Sequence, residues 1–109
     1  MDSRADEMQF ARAVTVTDDT LQVDLADGRT ISVPLAWYPR LLHGTAKERN
    51  NWRLIGEGKG IHWYDLDETI SVENIIRGKA SVEGQHSFRR WLRQRVSWRE
   101  QRGWSKEDL

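Results

Sequence analysis

The sequence predicts an α+β fold, in which a three-strand N-terminal meander plus a short second hairpin form a small antiparallel sheet, accompanied by short helices and a C-terminal amphipathic helix. Three patterns carry this expectation. Apolar residues alternate with polar ones along much of 12–33, the period of a half-buried sheet. Helix-start signals recur at Pro39, Thr45 and Ser71. From His86 to about Arg102, neither proline nor glycine interrupts a helical period.

Taken in order, 12–17 and 20–25 read as strands, the second turning Leu21, Val23 and Leu25 one way and Gln22 and Asp24 the other. Asp18-Asp19-Thr20 is the turn between them. Asp27-Gly28 suits a type I′ hairpin, because glycine tolerates positive φ, and leads into a third strand at 29–33. Pro39 starts a short helix through Leu42 that Gly44 ends. Thr45-Ala46-Lys47-Glu48 fits a capping box, in which the threonine hydroxyl and the glutamate carboxylate satisfy each other's free backbone N–H groups. Residues 52–55 and 60–63 flank Gly56-Glu57-Gly58-Lys59 as a second hairpin. Ser71 caps a helix from Val72, with Ile70 and Ile75 as a hydrophobic staple and Gly78 as its stop. The implied organisation is an N-terminal tail (1–11), an α+β domain (12–78), a linker (79–85), and a basic, aromatic helix and tail (86–109).

Composition narrows the classes of function. A chain of 109 residues suits one core with a tail. Its 38% apolar and 31% charged residues make that core lean, while six tryptophans concentrate buriable area in few positions. With no cysteine there is no disulfide framework, thiol nucleophile or cysteine-ligated metal, which suits a reducing cytosol. The start carries Asp2, Asp6 and Glu7 where an export signal has a basic segment and an apolar run, and no stretch approaches a membrane span. The expectation is a cytoplasmic chain without a membrane segment. Its zero net charge hides a gradient: the net values are −4 over 1–34, 0 over 35–84 and +4 over 85–109. Such asymmetry marks either an interaction tail or two faces that neutralise each other.

Three clusters raise the question of chemistry. The segment 62–68 gathers His62, Asp65, Asp67 and Glu68, an acid–base or metal-site composition. Its bland reading, a turn whose carboxylates bind backbone N–H groups, is preferred, because His43 and His86 lie in unrelated contexts. The 56–60 glycine run lacks Ser or Thr after Lys59 and precedes a strand, so it reads as a hairpin turn rather than a phosphate loop. No serine sits in a glycine-rich elbow. No catalytic residue, metal or cofactor is therefore expected.

The C-terminal cluster is more informative. Phe88, Trp91, Trp98 and Trp104 interleave with Arg89, Arg90, Arg93, Arg95, Arg99 and Arg102, and tryptophan and arginine are the types most enriched at binding hot spots. On a helical wheel Arg95, Arg99 and Arg102 fall inside the arc that Phe88, Trp91 and Leu92 make apolar. Either this stripe meets a protein partner, or it lies on nucleic-acid phosphates with tryptophans stacked on bases, or it packs on the chain's own acidic strands. Only Lys106 accompanies the arginines, which favours a structured, bidentate partner over loose phosphate attraction.

The strings 25–29, Pro34-Leu35, 38–41, 60–63, 66–68 and 70–72, in this order, resemble the bacterial family called domain of unknown function 2442 (DUF2442) over about 12–78. Tyr64 and Thr69 depart from the family's usual proline and acidic residue. The resemblance implies a small α+β fold without established enzymatic activity. It also implies frequent gene pairing suggestive of a toxin and antitoxin, and in some relatives an appended helix-turn-helix domain. The tail of about 25 residues supplies one helix, too short for such a domain with its own core. The expectation is thus a non-catalytic, antitoxin-like chain that binds a protein partner through Trp91, Arg95, Trp98, Arg99 and Arg102, with a second surface at Arg40, His62 and Trp63. The alternative is a nucleic-acid-binding regulatory protein, and self-association is left open.

Overall fold

The alternating residues of the N-terminal third form a three-stranded antiparallel sheet in the computed structural model, which describes the backbone of residues 9–101 and the side chains of residues 9–95. Its strands are β1 (Ala11–Val16), β2 (Thr20–Leu25) and β3 (Thr30–Pro34), in that order across the sheet. Val14, Leu21, Val23, Leu25 and Val33 are buried on the inner face, while Thr15, Gln22 and Ser32 align on the outer one. The first turn is closed by Thr17, whose hydroxyl accepts the Thr20 N–H at 3.0 Å. The second differs from the expected type I′ turn, in which both central residues need positive φ. Only Gly28 has it (+93°), and the Leu25 N–H reaches the Arg29 carbonyl at 2.8 Å across a three-residue loop with a glycine bulge.

A 3₁₀ turn (Leu35–Trp37) leads to α1 (Pro39–Leu42) and α2 (Ala46–Asn50). Pro39 sits at the start of α1, and both halves of the capping box at Thr45 and Glu48 are formed. Arg49 turns back from α2 and donates to the carbonyls of Leu41 and Leu42 at 2.8 and 2.6 Å, joining the Gly44 N–H on the first and satisfying the second at the end of the short α1.

The second sheet has three strands, β4 (Trp52–Ile55), β5 (Gly60–Trp63) and β6 (Glu68–Ser71), so it gains one strand beyond the expected hairpin. The sequence masks β6 because Ile70 is its single buried apolar residue. Leu54, Ile61 and Ile70 align toward the core, as do Trp52, Trp63 and Glu68, whereas Arg53, His62 and Thr69 align on the other face. The glycine turn at 56–58 joins the two sheets: at Gly58 (φ +93°) a Cβ would come within 2.7 Å of the Ala11 carbonyl oxygen.

Next, α3 (Val72–Ile76) begins at Ser71, whose hydroxyl accepts the Asn74 N–H, and Ile70 and Ile75 are both buried as its staple requires. Trp63 occupies the centre of the core with no exposed surface, its indole N–H donating to the Arg49 carbonyl at 2.9 Å. The segment 79–85, expected as a linker, is fastened along the domain: the Ser81 N–H donates to the Trp37 carbonyl and Glu83 pairs with Arg40. It delivers the chain to α4 (Gln85–Gln101), which docks through Trp91, with Phe88 and Leu92 half-buried beside it.

Candidate functional site

Trp91 is the pivot of the most elaborate side-chain network in the described residues. Its ring is 6% exposed and its indole N–H donates to the Leu66 carbonyl at 3.0 Å, which satisfies the polar end of a large apolar group. Two guanidinium groups approach the ring, Arg95 at 4.8 Å and Arg40 at 5.3 Å from its centroid. Each is held by a carboxylate from a different part of the chain. Arg95 donates to both oxygens of Glu48 at 2.9 and 2.8 Å, and the same Glu48 accepts the Thr45 N–H at 2.9 Å, so one carboxylate caps α2 and anchors α4. Arg40 donates to both oxygens of Glu83 and, at 2.8 Å, to the Asp67 carbonyl, while Ser87 from the first turn of α4 adds a hydroxyl to Glu83 at 2.9 Å.

The electrostatics follow the bonding. The hydrogen bond from Arg40 holds the Glu83 carboxyl below the ordinary glutamate range, and Ser87 adds to this while burial opposes it. Glu68 shows the reverse. Burial pushes its carboxyl above the ordinary range, with Arg40 opposing and the charges of Glu83 and Asp67 adding. One Glu68 oxygen accepts the Thr69 N–H at 3.1 Å, and the other is buried with no hydrogen-bond partner among the described residues. Nearby, burial and then the Glu68 charge push the Tyr38 hydroxyl up.

An open cleft of about 520 Å³ lies between α2, the β5–β6 turn and α4. Thr45, Glu48, Tyr64, Asp67, Trp91 and Arg95 line it, giving an aromatic floor, an exposed aromatic rim at Tyr64 and carboxylates on one side. A second cleft of about 410 Å³ lies between β6 and the 79–83 segment and contains Glu68 and Tyr38.

The sequence-predicted site residues separate into groups. Trp91 and Arg95 share the first cleft, where they also serve the domain's own packing. Arg40 belongs to the same network from its other side. It does not form a surface with His62 and Trp63: Trp63 points into the core, out of reach of any partner, because alternation along β5 sends it opposite to His62. His62 is half-buried on the outer face, its Nδ1 2.7 Å from the Thr69 hydroxyl and its ring edge-on to Tyr64. Trp98 and Arg99 lie on the α4 backbone with their side chains outside the described set; Arg102, Trp104 and most of the N-terminal tail lie outside the described residues. The carboxylates of 62–68 diverge. Asp65 accepts from Asn51, Asp67 carries a positive φ of 49° and Glu68 faces inward. Among the described residues, no three His, Asp or Glu side chains are placed to hold a metal ion together. Sequence reasoning missed Glu83 and the second role of Glu48; the capping box was visible, but its bond to a residue 47 positions away was not.

The family model described as "Protein of unknown function (DUF2442)" matches residues 11–81. The chain belongs to the DUF2442 family. The DUF2442 match thus runs from the first strand to Ser81 and leaves α4 beyond it. A similar fold is seen in the crystal structure of a protein of unknown function from Rhodospirillum rubrum ATCC 11170. The TM-score is 0.59 at 22% identity, over 68% of this chain and 92% of that one. No curated protein matches the chain. No helix among the described residues is long and apolar enough to cross a membrane.

Proposed function

We propose that this DUF2442 chain is a non-catalytic, antitoxin-like binding module of the bacterial cytoplasm that takes a protein partner along α4. One observation supports the reading above others. The face of α4 that holds Trp91 and Arg95 against the domain leads, by helical spacing along the backbone, to positions 98 and 99, and in the sequence Arg102 follows at the same period, so a docked root precedes an arginine- and tryptophan-rich continuation. In this division of labour Trp91, Arg95 and Arg40 fix the direction of the helix. Trp98, Arg99 and Arg102 make the partner's contacts, and the adjoining cleft with Tyr64 at its rim extends the surface. The bidentate pairing of Arg95 with Glu48 and of Arg40 with Glu83 suits anchoring better than recognition.

The test is affinity capture from cell lysate by the full chain and by its Trp98→Ala/Arg99→Ala/Arg102→Ala variant, at low and high salt, with retained protein and nucleic acid both identified. One protein held by the parent chain at high salt and lost by the variant is the expected result. Equal profiles for the two chains refute the reading.

A further inference from the structure

The first three turns of α4 present a second face. His86, Arg89, Arg90 and Arg93 are all exposed, and at about 100° per residue their spacing gathers them within roughly 100° of arc, opposite the docked side at Trp91 and Arg95. Elsewhere Arg29, Arg40, Arg49, Arg77 and Arg95 each meet a carboxylate at 2.6–3.1 Å, whereas Arg12 and Arg53, isolated on separate strands, meet none among the described residues. No described carboxylate pairs with Arg89, Arg90 or Arg93, and there is no Asp or Glu from Gln85 to Arg99 to alternate with them. Arg89 and Arg93 stand one helical turn apart as like charges, an arrangement that disfavours an isolated helix. A solvated face that served solubility alone would intersperse the two signs.

We propose that this outer face of α4 is a binding site for the phosphate backbone of duplex DNA. The seven-residue span from His86 to Arg93 is about 10 Å long at ~1.5 Å per residue, the axial length over which one DNA strand presents about three phosphates. Guanidinium forks donate bidentately to phosphate oxygens, and no carboxylate on this arc competes for them. The arc contains no Trp, Tyr or Phe, and His86 is its single ring, so it lacks the row of stacking platforms that single strands require and the large anchor that a protein hot spot requires. Charge complementarity with a regular polyanion is therefore its distinctive property. The proposal uses none of Trp98, Arg99 and Arg102, so either reading can fail without the other.

The experiment is fluorescence anisotropy of a labelled duplex of ~20 base pairs titrated with the full chain across a salt series starting near 50 mM. The parent chain is expected to bind with a slope of log affinity against log salt of about −0.9 per phosphate, near −2.7 for three contacts. Arg89→Gln/Arg90→Gln/Arg93→Gln is expected to weaken binding at least ~10-fold at the lowest salt and to flatten the slope by about that amount. Circular dichroism of the exposed-site variant checks that the fold persists, and Arg89→Lys/Arg90→Lys/Arg93→Lys should retain the slope because it retains the charge. Absence of binding by the parent chain, equal binding by the glutamine variant, or displacement of the duplex by polyglutamate at equal charge concentration overturns the proposal.

Discussion

Glu48 and Arg95 offer the sharpest test of how α4 is held. Their side chains are 10% and 13% exposed and the pair is bidentate, with Glu48 also closing the cap of α2. Two unit charges about 4 Å apart attract by roughly 4 kcal/mol at an effective dielectric near 20. Desolvation of both groups offsets much of that, so a coupling of about 1–3 kcal/mol is expected between them. Glu48→Gln keeps the shape and removes the charge, leaving a mostly buried guanidinium with a weaker acceptor. Its expected cost is about 2 kcal/mol, including part of the capping interaction. Arg95→Met keeps an apolar side chain of similar reach beside Trp91 and should cost less, because Glu48 retains the Thr45 N–H. Urea unfolding of the parent, both single variants and the double variant, followed by circular dichroism, gives the coupling directly. Because the pair is largely out of solvent, the value should change little with salt. A coupling under ~0.3 kcal/mol would refute the claim that this carboxylate anchors the helix.

Four further outcomes follow from the same packing. Trp91→Ala should cost about 3–5 kcal/mol by opening a cavity under α4 and orphaning the Leu66 carbonyl, read as a lower urea midpoint. Burial raises the folded Glu68 pKa, so the stability this group contributes is whole below the ordinary glutamate pKa and is lost as pH rises through the raised value; Glu68→Gln should remove that decline from the urea midpoint between mildly acidic and neutral pH. Glu83 has the opposite sign, since its lowered folded pKa gives stability that is present above the ordinary value and lost as pH falls through the lowered one, and Glu83→Gln should abolish that acid-side loss. Gly58→Ala should cost about 2 kcal/mol or more, because its Cβ would come within 2.7 Å of the Ala11 carbonyl oxygen at φ +93°, whereas Gly28→Ala, at the same φ with open space around it, should cost roughly 1 kcal/mol in thermal or urea unfolding.

The parts of the fold that local chemistry dictates were legible in the sequence. The meander follows from the two-residue period of Leu21, Val23 and Leu25, and the starts of α1, α2 and α3 follow from Pro39, the Thr45–Glu48 box and Ser71. The Asp27-Gly28 turn was located but mistyped, since the pair is compatible with both turn geometries and the strand register decides between them. Strand β6 escaped notice because four residues with one buried apolar side chain carry almost no period. At the candidate site the failure is of a different kind. Trp and Arg stand out by composition on the helix, but composition does not say which guanidinium has a carboxylate waiting. Only the fold brings Glu48 to Arg95 and Glu83 to Arg40, and only strand alternation reveals that Trp63 and His62, adjacent in sequence, point in opposite directions.

The most direct test of partner binding along α4 places a photo-crosslinking amino acid at position 98 of the full chain inside living cells, with a matching chain carrying it at position 15 on the exposed outer face of β1. Irradiation should yield one predominant covalent adduct with a single protein from position 98 and none from position 15. No adduct, the same adducts from both positions, or an adduct with nucleic acid alone at position 98 would contradict the account.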